Sequence, residues 1–292
     1  MRRALALMLA VVVLVACGWD VTSPTSFHSA GDSTTAVLIG AGDIAACGSK
    51  GTDATAKLLD SLQGTIFTAG DNAYPSGTAS DFLNCYEPTW GRHKARTRPS
   101  PGNHDYDSAG ALPYFDYFGE RAGPPGRGYY SYREGNWQIL SLNSNIPMEA
   151  NSPQLQWLRK ELTDGGARCS LAYWHHPRFS SGPHGDDRAT RPLWETLYAA
   201  GAEIVIVGHD HLYERFAPQD PDGKLDAVRG IREFVVGTGG GEAMSSGPVH
   251  ANSDARLSTF GVLQLMLATD SYSWAFLDST GAAADTGAGL CH

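Results

Sequence analysis

Basic residues are scarce and unclustered. Lysine and arginine total 22 against 31 aspartates and glutamates, giving a formal net charge of -9 and a pI near 5.5. The chain therefore lacks the Lys/Arg surface whose counterion release drives nucleic-acid or anionic-membrane binding. Cysteine is also sparse, with five in 292 residues and none at CxxC spacing, which argues against a thiolate metal centre. No internal repeat is present. The glycine-rich stretch Gly237-Thr238-Gly239-Gly240-Gly241 is not followed by Lys-Ser/Thr, so it reads as a turn closing a strand rather than a phosphate-binding nest. The apolar run from Ala4 to Ala16 is too short to cross a bilayer as a mature helix.

That run does have a use. Arg2 and Arg3 precede it, and charge followed by a short apolar core is the layout of a signal peptide, here residues 1–16. Leu14-Val15-Ala16-Cys17 resembles a bacterial lipobox, in which the cysteine is lipidated and begins the mature protein. An ordinary secretory signal cut near Ala16 is the alternative. Residues 17–35, rich in Ser, Thr, Pro and Gly, read as the lipidated Cys17 and a flexible tether. The expected location is the outer face of a bacterial membrane, with simple secretion as the alternative. In an oxidising compartment the remaining Cys47, Cys85, Cys169 and Cys291 form an even set with three pairings open. Cys47 with Cys85 and Cys169 with Cys291 is the preferred set: the first braces two loops, the second pins the C-terminal tail to a strand.

Residues 36–292 carry the folded domain, and 42% hydrophobic content can fill a large core. Val37–Gly40, Thr65–Thr68, Trp137–Leu142, Cys169–Tyr173, Glu203–Val207 and Glu233–Val236 are short apolar runs of strand length. Ser152-Pro153 caps a helix with Leu155, Leu158 and Leu162 on one face, and Arg191–Ala200, closed by Gly201, is a second helix. Gly261–Leu267 and Tyr272–Leu277 around Asp270-Ser271 read as an antiparallel hairpin. Tyr129, Tyr130 and Tyr132 read as strand core.

Five segments share one arrangement. Gly42-Asp43-Ile44-Ala45, Gly70-Asp71-Asn72-Ala73-Tyr74, Gly102-Asn103-His104-Asp105, Ala172-Tyr173-Trp174-His175 and Gly208-His209-Asp210-His211 each place an oxygen or imidazole donor after a strand-like stretch. Asp, Asn, His and Tyr suit hard divalent and trivalent cations. A single such segment is an ordinary capped turn; five in order indicate a dinuclear hydrolytic site.

The series resembles the calcineurin-like metallophosphoesterases, and within them the purple acid phosphatases, whose motifs run GDxG, GDxxY, GNH plus an acid, VxxH and GHxH. Ala45 and Ala172 depart from the pattern at non-ligand positions. In the wider superfamily the first motif is usually DxH, with the His a ligand. Here Ala45 holds that position and Tyr74 offers a phenolate instead, as in the purple acid phosphatases.

The resemblance implies an α/β fold, a four-layer αββα sandwich of two mixed β-sheets flanked by helices. It implies Fe(3+) at Asp43, Asp71, Tyr74 and His211, and Fe(2+), Zn(2+) or Mn(2+) at Asp71, Asn103, His175 and His209, with Asp71 bridging. His175 is taken as ligand over His176 because one residue and then Pro follow it; His176 becomes an outer or surface imidazole. His104 and His184 match the histidines that contact phosphate and assist the leaving group. The implied reaction is hydrolysis of a small phosphoester, foremost a phosphomonoester, by in-line attack of a metal-bound hydroxide. A phosphodiesterase or nucleotidase of the same superfamily, and a non-catalytic phosphate-binding lipoprotein, are the alternatives. Substrate choice would lie in loops such as 106–130 and 242–258.

Overall fold

Among the described residues thirteen strands form two facing sheets. The computed structural model describes residues 35–241 and 247–292, all within one compact unit, Ser33–His292. The signal peptide, Cys17 and the tether up to residue 34 lie outside the described residues, as do residues 242–246 of one proposed substrate loop. One sheet has six strands in the order β13-β12-β11-β1-β2-β3. These are β1 (Ala36–Ala41), β2 (Thr65–Ala69), β3 (Thr97–Ser100), β11 (Gly261–Leu267), β12 (Ser271–Asp278) and β13 (Ala283–Leu290). The other has seven, in the order β10-β8-β9-β7-β6-β5-β4: β4 (Tyr130–Glu134), β5 (Trp137–Ser141), β6 (Cys169–Tyr173), β7 (Ile204–Val207), β8 (Tyr213–Phe216), β9 (Arg232–Val236) and β10 (Ser253–Leu257).

Period-2 side-chain alternation produces the layers. Leu38, Phe67, Ile139, Leu171, Ile204, Ile206 and Phe234 face the opposite sheet and fill the space between. Their neighbours Leu140, Ala172, Val205 and Val207 face outward, beneath helices α5 (Pro153–Asp164) and α6 (Arg191–Ala199). Ile39, Ala41 and Ile66 face outward on the other sheet, beneath α1 (Lys50–Ser61) and the short turns α2 (Ala79–Asp81), α3 (Asn103–Asp107) and α4 (Leu112–Phe118) with their connecting segments. This is the expected αββα sandwich of mixed sheets. Ser152 Oγ accepts the Leu155 N–H at 3.3 Å and starts α5 as its sequence implies.

β1, β2 and β3 run parallel, as do β5, β6, β7 and β9. Loops leaving the C-terminal ends of both parallel sets therefore meet at one edge of the sandwich, where open α/β sheets gather functional residues. The expected C-terminal hairpin continues into a third strand, β13, which the sequence reading leaves out. Its Ala- and Gly-rich composition has low strand propensity, and its pairing explains the residue choice. A Cβ at Gly287 would lie 2.2 Å from the Trp274 ring and one at Gly289 2.4 Å from that of Tyr272, so only glycine passes beneath these aromatics. The Cys169–Cys291 disulfide then ties the tail to β6, and Cys47–Cys85 joins the loops after β1 and β2, the preferred pairing.

Candidate metal centre

Each of the five donor segments leaves the C-terminal end of a parallel strand: Asp43 follows β1, Asp71 and Tyr74 follow β2, Asn103 and His104 follow β3, His175 follows β6, and His209 and His211 follow β7. Glycines make the convergence possible. A Cβ at Gly70 would come within 2.5 Å of His175 Nδ1, one at Gly102 within 2.1 Å of Asp71 Oδ1, and one at Gly208 within 2.5 Å of Asp43 Oδ2. The residue before each donor thus leaves room for a donor from another loop.

The two aspartates divide their oxygens alike. Asp43 Oδ2 accepts the His209 N–H at 2.8 Å, while Asp43 Oδ1 lies 2.9 Å from the Tyr74 hydroxyl and 3.1 Å from His211 Nε2. Asp71 Oδ1 accepts the His104 N–H at 2.8 Å, while Asp71 Oδ2 lies 3.1 Å from the Tyr74 hydroxyl and 3.3 Å from His175 Nε2. His175 Nδ1 faces the Ala69 carbonyl at 2.9 Å, and its Nε2 is turned to Asn103 Oδ1 at 2.8 Å and His209 Nδ1 at 3.2 Å. The structure thus brings together one group of Asp43, Asp71, Tyr74 and His211 and a second of Asp71, Asn103, His175 and His209, with Asp71 Oδ2 common to both.

The donor chemistry tests whether cations fit. The Tyr74 hydroxyl has one proton but faces Asp43 Oδ1, Asp71 Oδ2 and, at 3.1 Å, His211 Nε2. His175 Nε2 likewise meets atoms that accept. Carboxylate, phenol and amide oxygens converging with imidazole nitrogens in this way are what a cation satisfies, and buried Asp43, Asp71 and His175 bring one donor atom each within 4.8 Å of one another. The residues fit a pair of metal ions.

Backbone strain marks the same place. Among the described residues the non-glycine positions with positive φ are Asp43 (59°), Asp71 (48°), His209 (69°) and Ala111 (51°). Three of these four are candidate ligands, and left-handed backbone at such residues costs on the order of 1–3 kcal/mol each.

Without cations the groups are displaced from their ordinary ionisation. Burial pushes the Asp43 carboxyl up, but the imidazoles of His211, His175 and His209 outweigh it and hold it well below the usual range. Burial pushes His175 down, and Asp71 and Asp43 raise it to about 9. His209 is lowered to about 4 by burial and by His175. Burial, then the charges of Asp43 and Asp71, raise Tyr74 well above the ordinary phenol range, so its phenolate needs positive charge beside it.

His104 and His184 stand at the rim, partly exposed. The His104 ring packs 4.6 Å from that of Tyr74, with Nδ1 2.6 Å from the Pro75 carbonyl and Nε2 3.9 Å from Asp71 Oδ2. The His184 ring lies 4.2 Å from that of His209. Its Nδ1 is 2.8 Å from Asp210 Oδ1, which also accepts the His184 N–H at 3.0 Å. His176 is half-buried rather than superficial. Its ring is 4.6 Å from that of His209, and its Nδ1 meets Ser144 Oγ at 2.8 Å.

The roles of two acids named in the motifs escape the sequence reading. Asp210 is fully buried and its carboxylate gathers the His184 backbone N–H, His184 Nδ1 and the Ser180 hydroxyl. Its signal is its position between His209 and His211, where the flanking donors draw attention from it. Asp105 is buried and accepts the Gly102 N–H and Asn72 Nδ2, each at 2.9 Å, so it holds the second and third loops together. Burial and Asp71 push its carboxyl up to about 7. The glycine-rich stretch is a packing turn: Gly239 N–H donates to the Gly42 carbonyl at 2.9 Å and Gly241 N–H to that of Asp43 at 2.7 Å.

Comparison with known proteins agrees with this geometry. Purple acid phosphatase 15 of Arabidopsis thaliana is 27% identical over 201 residues, covering 56% of this chain and 38% of that protein. Purple acid phosphatase 21 of the same plant is 27% identical over 247 residues, covering 72% and 53%. The chain spans about half or less of the length of these curated relatives. Among solved structures, purple acid phosphatase PPD1 from yellow lupin (Lupinus luteus) seeds superposes with a TM-score of 0.75 at 17% identity, over 87% of this chain and 53% of that one. GAP50 of Plasmodium superposes with a TM-score of 0.71 at 15% identity, over 89% and 90%; both are likenesses of fold. Residues 33–213 match the family described as calcineurin-like phosphoesterase, and with its strand ends, donor loops and sandwich in agreement, the chain belongs to that family.

Proposed function

We propose that this protein hydrolyses phosphomonoesters at a dinuclear metal centre, with Fe(3+) held by Asp43, Asp71, Tyr74 and His211 and Fe(2+), Zn(2+) or Mn(2+) held by Asp71, Asn103, His175 and His209. The observation that carries this reading is the crowd of acceptors around the Tyr74 hydroxyl, which a trivalent cation in place of the proton would satisfy. Fold alone is not enough, since one similar structure is described as an anchor in the inner membrane complex of Plasmodium. When bound, the two ions would supply Lewis-acid charge to the phosphate and acidify water. Two carboxylates and a phenolate offset only part of the charge of a trivalent and a divalent ion, leaving roughly +2 to attract a phosphate dianion. Asn103 adds an oxygen without a further negative charge. His104 would hold the phosphate from the Tyr74 side. His184, with Nδ1 engaged by Asp210, would use Nε2 to protonate the departing alkoxide.

Metal analysis of the purified protein, combined with hydrolysis of a phosphomonoester and a phosphodiester sharing one aryl leaving group, tests the reading. Two ions per chain including iron, with faster monoester turnover, is the expected result. A faster diester moves the protein to the phosphodiesterases, and a metal-replete protein inert to both is a binder. We also propose an exported form anchored by lipid on Cys17. The two disulfides are of the kind that oxidising compartments sustain.

A further inference from the structure

The loop that presents His184 to the metal centre has a second face. Behind it lies a cavity of about 320 Å³ walled by Arg178, Asp186, Arg188, Arg191, Asp222 and His250. Two carboxylates in this wall have partners: Arg191 Nη2 meets Asp222 at 2.8 Å, and His250 Nε2 lies 3.2 Å from Asp186. The other two arginines form no direct ion pair, and Asp186 and Glu233 act on Arg178 only from a distance. Among the described residues neither Arg178 nor Arg188 forms an ion pair with a carboxylate. Arg178 is 94% buried by its 6% relative exposure, stacks 4.3 Å over the Phe179 ring, and donates from Nη2 to the Pro221 carbonyl at 3.0 Å. Its Nε is buried with no partner. Glu233 lies beneath and accepts the Arg178 and Phe179 backbone N–H groups. Burial raises its carboxyl well above the usual range.

A buried guanidinium with an unpartnered N–H is costly unless something accepts from it, and a planar fork beside a second free guanidinium matches an oxyanion. We propose that this cavity is a second anion site, distinct from the metal centre, which takes a phosphate-type oxyanion between Arg178 and Arg188. The cavity is linked to the reaction side of the loop. Asp186 Oδ1 accepts the Ser180 N–H at 3.0 Å, and the Ser180 hydroxyl donates to Asp210, which holds His184. An anion here therefore bears on the segment that positions His184.

Calorimetric titration of the metal-loaded protein with inorganic phosphate tests the site, with phosphate inhibition of ester hydrolysis measured in parallel. Two phosphates per chain are expected, one competitive with substrate and one not. Arg188→Ala and Arg188→Glu, at an exposed position that does not threaten the core, should weaken the non-competitive phosphate roughly tenfold or more, the loss expected for a charge-assisted contact. The competitive constant should stay unchanged. One phosphate per chain, fully competitive, overturns the proposal, as does a second phosphate indifferent to Arg188→Glu. Loss of the competitive phosphate alone would instead count against the metal-centre reading and leave this site standing.

Discussion

Replacing His184 and Asp210 separately and together would show whether they act as a unit. His184 Nδ1 lies 2.8 Å from a buried Asp210 carboxylate that also takes its backbone N–H, an arrangement that fixes the ring. A positioned general acid contributes roughly 10² to 10⁴ in rate, so His184→Asn should lower kcat for an alkyl phosphate by that order. The loss should be much smaller for a nitrophenyl ester, whose leaving anion needs little protonation. The hydrogen bond that Asp210 accepts from His184 is charge-assisted and worth roughly 1.5–3 kcal/mol, so Asp210→Asn should cost roughly ten- to a hundredfold on the alkyl ester. If Asp210 works only through His184, the double variant is no slower than His184→Asn, because the interaction term cancels the second loss. Metal content should remain at wild-type stoichiometry in His184→Asn. The assays are steady-state kinetics on both esters with metal analysis of each variant. Equal losses for good and poor leaving groups would reduce His184 to phosphate positioning. Additive losses in the double variant would refute the coupling, and metal loss in His184→Asn would make it a ligand.

Tyr74→Phe removes the hydroxyl that lies 2.9 Å from Asp43 and 3.1 Å from Asp71; an iron-loaded sample should lose its visible phenolate-to-iron absorption, and an unchanged spectrum with full iron rules this ligand out. Glu203 is buried with Oε1 unpartnered, Oε2 accepting the Ser170 N–H at 2.7 Å, and burial raises its carboxyl to about 7. Because the folded state binds this proton more tightly than the unfolded chain, its stabilising effect is complete below the ordinary Glu range and is lost as pH rises towards 7, by up to about 3 kcal/mol. Glu203→Gln should therefore match wild type near pH 4.5 and exceed it in denaturant midpoint at pH 8; a constant difference across that range refutes the assignment. Cys17→Ala should move the protein from the membrane fraction to the soluble one with hydrolysis retained, and continued membrane fractionation would end the lipid-anchor reading.

The donor residues were readable because ligand chemistry restricts residue type and because each donor follows a buried strand, which leaves an apolar run beside a polar one. β1 and β2 show this, with apolar residues up to Ala41 and Ala69 and then Asp43 and Asp71. Strand β13 was not readable, since Ala-Ala-Asp-Thr-Gly-Ala-Gly-Leu has neither alternation nor β-branched bulk and is selected by the rings of Trp274 and Tyr272 above it. The stretches 78–96 and 106–122 were similarly opaque: their short turns are held by contacts of Tyr86, Trp90, Tyr114 and Phe118 with the outer face of the six-stranded sheet, not by helical periodicity. Asp210 shows a third kind of limit. Its residue type was visible, but its partner His184 lies 26 residues away, and only the fold brings the two together.

The two aspartates also explain how a centre so dense in like charges can form before any cation arrives. Each spends one oxygen on the backbone N–H of another donor loop, Asp43 on His209 and Asp71 on His104. Asp105 ties the second and third loops at Gly102 and Asn72. These bonds cross between the two sheets or between neighbouring strands, and none requires a metal. Charge-assisted bonds to backbone N–H groups are among the stronger polar contacts, and together they can offset left-handed backbone at Asp43, Asp71 and His209. The oxygens that remain, Asp43 Oδ1 and Asp71 Oδ2, are left facing Tyr74, His211 and His175. Preorganisation here comes from dividing each carboxylate between scaffold and centre, and that division accounts for the use of aspartate, whose short side chain reaches both from one backbone position.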